Sequence, residues 1–173
     1  MNFSISLLQL LGLSIAPTFV TPQGLNVTAI SATNGVSVLE CWSLASPPQN
    51  ARGAANYDIG NFEDAFIGVI APRTRIGYAH APSIQFSLVI AGLVHIRLPN
   101  STTEAWIQGG KYGFIIAADT VEVSKLGHIT EFPGGDDTVI AQFPVAGGVV
   151  PEHVVLYEGP CTVGNGIGVA VGI

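Results

Sequence analysis

An all-β fold, a single antiparallel β-barrel or jelly roll, is what this sequence predicts, and three observations carry the prediction. No segment sustains a 3.6-residue apolar period long enough for a helix. About ten to twelve short β-branched or aliphatic runs follow one another instead, each closed by Gly, Pro, Asn or Asp. Composition agrees: 48% of the 173 residues are hydrophobic and only 10% charged, with 21 glycines and 11 prolines to punctuate strands. That length fits one domain with a sizeable core, and no internal repeat divides it.

The elements follow in order. Residues 25–31 and 35–43 alternate or run apolar and read as strands, with Thr33-Asn34-Gly35 as their turn. Residues 46–56 are a loop by composition, long enough to fold over the mouth of a cavity. Residues 62–70 and 74–80 are the next strands, separated by Ala71-Pro72-Arg73. In the second of these, Thr74, Ile76, Tyr78 and His80 share one face by the period of two. A strand over 84–90, a hairpin turn at Ala91-Gly92 and a strand over 93–98 come next. Strands over 104–108, 112–117, 127–132, 138–143 and 152–158 complete the series, and residues 119–125 are a loop or a single helical turn. The glycine-rich apolar tail from Gly164 either pairs at an edge or stays loose.

Charge narrows the partners. Six Lys and Arg against twelve Asp and Glu, for a net charge of -6, leave no electrostatic footprint for nucleic acid and disfavour anionic membranes. An apolar small molecule is the expected partner, or an apolar protein surface such as a second copy in a homodimer. A tightly packed β protein with no ligand is the plain alternative.

Several features point to the secretory pathway. The run Leu7-Leu8-Gln9-Leu10-Leu11-Gly12-Leu13-Ser14-Ile15 is too short to span a bilayer and suits the core of a signal peptide, expected over residues 1–20. A buried first strand or helix is the other reading of that run. Residues 21–173 then form the mature domain, with no membrane segment. Cys41 and Cys161 are the only cysteines, so an oxidising compartment would join them in one disulfide. Asn26-Val27-Thr28 and Asn100-Ser101-Thr102 are glycosylation acceptor patterns.

The chemistry concentrates in His80-Ala-Pro-Ser-Ile-Gln85-Phe-Ser-Leu-Val-Ile-Ala-Gly92, with His128 after Gly127 further on. The order His80, Gln85, Gly92, then His128 resembles the two signatures of the cupin family, which carry a metal site inside a small barrel. Tyr78 stands at the family's first histidine and Gln85 at its glutamate, while Phe132 replaces an asparagine of the second signature. The resemblance covers roughly residues 62–143. It implies that Tyr78, His80, Gln85 and His128 converge in the barrel as a catalytic set. Carboxamide and phenol are poor ligands for a divalent cation, so ligand chemistry favours a site without metal or other cofactor. Taken singly, each histidine is better explained as a satisfied core residue, and only the pair with Tyr78 and Gln85 favours a polar patch at a pocket floor. Trp106, Tyr112 and Phe114 are candidate substrate-binding aromatics, or ordinary core. No nucleophile elbow and no phosphate loop is present.

With its paired cysteines and the phrases Leu98-Pro99-Asn100-Ser101-Thr102 and Gly110-Lys111-Tyr112-Gly113, the chain resembles fungal small secreted cupin-like proteins, among them hetero-Diels–Alderases of tropolonic sesquiterpene biosynthesis. That resemblance implies a cofactor-free pericyclase. It would dehydrate a hydroxymethyl tropolone or phenol to a quinone methide and add it to a terpene alkene such as humulene. A metal-dependent cupin oxygenase or isomerase is one alternative. A non-catalytic secreted protein binding an apolar ligand is the other.

Overall fold

Residues Leu25 to Thr33 read Leu-Asn-Val-Thr-Ala-Ile-Ser-Ala-Thr and are buried at their first seven positions. A strand with one wet face would alternate; a continuous buried run means cover on both faces. The structure, a computed structural model, describes residues 24–162. It contains β1 (Leu25–Thr33), β2 (Val36–Leu44), β3 (Gln49–Ala51), β4 (Ala54–Asn56), β5 (Phe66–Ile70), β6 (Thr74–Ala79) and β7 (Gln85–Ala91). β8 (Leu93–Arg97), β9 (Glu104–Gln108), β10 (Phe114–Ala117), β11 (His128–Phe132), β12 (Thr138–Pro144) and β13 (His153–Glu158) follow, with one 3₁₀ turn at Ala146–Gly148. The expected signal segment and the glycine-rich tail lie outside the described residues. Among the described residues, no helix is long and apolar enough to cross a membrane.

A seven-stranded sheet runs β13-β2-β1-β10-β7-β12-β5, and a four-stranded sheet runs β6-β11-β8-β9. Every pairing is antiparallel except β1 with β10, which places Thr28 beside Ile115. Neither sheet closes on itself. β3 and β4 make a small separate hairpin inside the expected 46–56 loop.

Two cores result. Ile30, Leu39, Val89 and Ile115 of the large sheet meet Val94, Ile96, Ile107 and Phe132 of the small one. On the opposite face of the large sheet, Leu25, Val27, Trp42, Phe86 and Ile116 are covered by Tyr57, Ile59 and Phe62, with Phe143 of β12 packed beside them. Each such side chain contributes about 1.5–3 kcal/mol when fully buried. The irregular segment after β4 is therefore the second cover of the central strands.

The expected hairpin at Gly92 does not form. β7 pairs with β10 and β12, whereas β8 pairs with β11 and β9. Gly92, at φ 92°, turns the chain across from one sheet to the other. A side chain there would collide with Thr138, so the corner requires glycine.

Cys41 and Cys161 are bonded across 120 residues of sequence. Both are fully buried, and the Cys161 N–H donates to Thr28 Oγ1 at 3.0 Å. Of the two glycosylation patterns, Asn100 is exposed in the β8–β9 turn. Asn26 is only 5% exposed within β1, so the folded strand has no room for a glycan there.

The outer face of the small sheet carries a charged network. Arg97 Nη2 donates to Glu131 Oε1 at 2.8 Å, and Arg75 Nε lies 3.1 Å from the same oxygen. His95 sits between Glu131 and Glu104, 3.1 and 2.9 Å from their oxygens, and stacks on Trp106 at 3.8 Å. Hydrogen bonds from His95 and Trp106 hold Glu104 below the usual 4.5. For Glu131, burial alone would raise the value, but the hydrogen bond and charge of Arg97, with His95 and Arg75, bring it below 4.5.

Two outcomes are expected. Because both glutamates are held below 4.5 in the fold, their contribution is present above that pH and lost as pH falls through their folded values. Urea midpoints measured from about pH 5 down to about pH 3 should fall, and Glu131→Gln should flatten that slope. Replacing both cysteines by alanine should lower stability by about 2–5 kcal/mol in denaturant titration; an unchanged midpoint would mean that the bond holds nothing.

Candidate functional site

β7 sets the floor of the site by simple alternation. Gln85, Ser87 and Val89 point into the space between the sheets, while Phe86 faces the opposite core. That space is a cavity of about 220 Å³. Its walls are mainly apolar, from Ile30, Val89, Val94, Ile96, Ile115, Phe132 and Ile140. Its polar lining is His80, Gln85, Ser87, His128, Thr130 and Gln142. Gln85 is 4% exposed, and its Oε1 has no hydrogen-bond partner among the described residues. A buried acceptor left without a donor costs about 1–3 kcal/mol, which a ligand bringing a hydroxyl would recover.

His128 opens β11, opposite Ala79 at the end of β6. Gly127 makes that approach feasible. It has φ 69°, and a Cβ there would fall inside contact of the Ala79 carbonyl oxygen. The His128 ring is then fixed by Asp119: Nδ1 donates to Oδ2 at 2.8 Å, and Asp119 is 0% exposed. Donation from Nδ1 leaves Nε2 as the basic nitrogen of a ring that lines the cavity, the same logic by which a buried aspartate orients a catalytic histidine. His80 is held differently. Its Nε2 donates to the Ser124 carbonyl at 2.9 Å, which leaves Nδ1 basic.

Three of the four expected catalytic side chains thus line one cavity, and Tyr78 does not. Between His128–Ala79 and Thr130–Ile76, three steps on β6 match two on β11. This bulge breaks the period of two, so Ile76 and Ala79 line the cavity while Tyr78 turns outward, 64% exposed. The three aromatic candidates also lie elsewhere. Trp106 stacks on His95 outside the small sheet, and Phe114 stacks on Phe86 in the opposite core. Tyr112 lies in the turn before β10, with Lys111 Nζ 5.1 Å from its ring centre.

Asp119 was invisible to motif reading. It looks like the first residue of a polar loop, nine positions before its partner histidine. The one usable signal is position: it follows the fully apolar Ile115-Ile116-Ala117-Ala118, so a carboxylate there starts out buried.

Among the described residues, no three His, Cys, Asp or Glu side chains converge as metal donors. The Asp119 oxygen nearest the cavity histidine is committed to His128 and Ser37. A larger groove of about 340 Å³ beside Asn100 has no histidine, lysine or arginine in its lining. Of its two carboxylates, Glu40 and Glu158, the first accepts from Ser31 and Trp42.

Compared with known proteins, the chain matches no family model, and no curated protein matches it.

Gly127→Ala should cost at least about 2 kcal/mol, because left-handed strain adds to a backbone collision, and should displace the His128 ring resonances. Gly110, at φ 96° with open space around it, is the control. Gly110→Ala should cost only about 1–2 kcal/mol in the same urea titration and leave His128 in place.

Proposed function

We propose that this protein is a cofactor-free acid–base enzyme acting on a hydroxylated ring in an apolar cavity, with the Asp119–His128 pair as its working unit. The observation that carries this reading is the pair itself: a basic imidazole nitrogen, aimed by a fully buried carboxylate, in a cavity otherwise lined by aliphatic side chains. A low-dielectric surround strengthens each of those contacts.

Size and polarity define the ligand. An apolar cavity of about 150 Å³ accepts benzene, and drug-sized ligands need about 300 Å³ or more. At about 220 Å³ this cavity matches one substituted ring. The basic nitrogens of His80 and His128 and the free Gln85 oxygen are all acceptors, so the ring should carry hydroxyl donors. A hydroxymethyl tropolone or phenol meets both conditions.

The reaction follows from those groups. His128 Nε2 accepts the ring-hydroxyl proton as the C–O bond of an adjacent hydroxymethyl group breaks. The same proton goes to the departing hydroxide, water leaves, and an ortho-quinone methide remains. The Gln85 carboxamide, donating from Nε2, polarises the ring oxygen. A terpene alkene such as humulene exceeds the remaining space and would meet the quinone methide at the cavity mouth, in a hetero-Diels–Alder addition. Holding the two together supports up to about 7–11 kcal/mol of barrier lowering.

The mouth fits that role. β5 and β6 follow one another but belong to different sheets, β5 pairing with β12 and β6 with β11. The lining residues Ile76 and Pro82 are exposed beside this seam. Two sheets with a histidine-lined cavity between them support a cupin-like barrel, split rather than closed. The disulfide supports a secreted protein.

Incubation with a hydroxymethyl tropolone and humulene, followed by mass spectrometry, should give the adduct. His128→Ala should lower the rate by about 10²–10⁴-fold with an unchanged fold, and chelators should leave the rate unaltered. Activity lost on chelation would favour the metal-dependent oxygenase or isomerase. Ring binding without turnover would leave a ligand-binding protein.

A further inference from the structure

Behind the Asp119–His128 pair lies a chain of hydroxyls that the proposed reaction does not itself use. Ser37, on β2, places Oγ 2.7 Å from Asp119 Oδ2, the oxygen that accepts from His128. Ser37 Oγ is also 2.8 Å from Ser124 Oγ, and Ser124 Oγ accepts from the Gly127 N–H at 3.0 Å. Ser37, Ser124 and Asp119 are all buried.

Hydrogen counting orders this chain. A carboxylate only accepts, so the single Ser37 hydroxyl hydrogen goes to Asp119. Ser124 must then donate to Ser37, and its remaining lone pair takes the Gly127 N–H. Each hydrogen has one acceptor, and the direction runs from Gly127 towards Asp119. Ser124 also joins the second histidine, because its carbonyl accepts from His80 Nε2. The loop that carries Ser124 is pinned again at Lys125, whose N–H donates to the Gly35 carbonyl at 3.0 Å in the turn before β2.

We propose that Ser37 is a positioning residue of the acid–base site, which with Ser124 holds Asp119 Oδ2 on His128 Nδ1 and links His128 and His80 through one hydrogen-bonded chain. The physical effect is on basicity. Donation from Ser37 spreads the negative charge of Asp119 over a second hydrogen bond. Without it, that charge falls more fully on the imidazole, which then holds its proton to higher pH.

Few other groups compete for control of His128. The titratable side chains that bond it or share its cavity are Asp119 from the loop and His80 just after β6. The large sheet offers only the neutral Gln85, Ser87 and Gln142, and β11 itself the neutral Thr130. Glu122 lies on the same loop and acts on His80.

This inference rests on the acid–base reading, but its test needs no substrate. The titration of His128 is followed by NMR in the whole protein and in Ser37→Ala, Ser37→Thr and Ser124→Ala. Ser37→Ala should move the His128 midpoint upward by about half a pH unit or more. Ser37→Thr, which restores the hydroxyl, should return it to the wild-type value. Ser124→Ala should move it the same way by less, and it carries the test if Ser37→Ala does not fold. A midpoint unmoved in both alanine variants overturns the proposal and leaves the serines as packing. Asp119→Asn separates the two levels. A lowered His128 midpoint supports the pair on which the chain acts, and no change overturns both the pair and the chain.

Discussion

The seven-stranded sheet is buried on both faces at its centre, and most of the molecule follows from that constraint. Its central strands, β1, β10 and β7, have the small sheet on one side and the segment around Tyr57 to Phe62 on the other. A strand in that position has no water for its polar side chains, so each must find a partner inside the protein. Thr28 does so by accepting from the Cys161 backbone, which ties the end of the chain to the middle of the sheet. Asp119, two residues beyond the buried end of β10, does so with its Oδ2 through Ser37 and His128. Gln85 Oε1 remains without a partner among the described residues, as do Asp119 Oδ1 and Thr138 Oγ1, and Gln85 is the one of the three that lines the cavity.

The cavity exists because the two sheets are joined at corners and are not closed into one barrel. Gly92 carries the chain from the large sheet to the small one, and Ala71-Pro72-Arg73 carries it across beside the seam. At Arg73 the crossing is fastened by an N–H bond to the Phe132 carbonyl at 2.8 Å. Further along β5 and β6 there is no ladder to hold the sheets together. Space therefore remains between Ile70, Ile76 and Ile140, and the polar floor is left reachable.

The histidines show how environment assigns work to one residue type. His95 is held between two carboxylates and against an indole on the outside of the small sheet, where its neighbours are charged and the network is structural. His80 and His128 each commit one ring nitrogen to a buried acceptor and keep the other. A ring with one anchored and one free nitrogen is equipped for proton transfer. His95, with both nitrogens against carboxylates, is not. His153 is a fourth case, stacked on Trp42 at 3.6 Å with Nδ1 donating to the Pro151 carbonyl.

Much of this was legible along the chain. In β8, His95 and Arg97 lie outside and Val94 and Ile96 inside, because a period of two survives wherever a strand pairs regularly. The strand inventory and the disulfide from an only pair of cysteines were legible for similarly local reasons, whereas the grouping of His80, Gln85 and His128 was implied only by a resemblance in the order of those residues. What tertiary structure decided lies where pairing is irregular or the partner is distant. The bulge opposite Ile129 turned Tyr78 outward, and no composition rule announces where a strand will take in an extra residue. Gly92 was readable as a turn, but whether a turn returns to its own sheet or crosses to another depends on which strands compete for its edges. The parallel pairing of β1 with β10 joins residues more than eighty positions apart, as does the Ser37–Asp119 bond. Sequence periodicity reports the face a strand will bury. Contacts at such separations depend on which buried polar groups the finished fold brings within reach, and so the aspartate behind His128 became visible only in three dimensions.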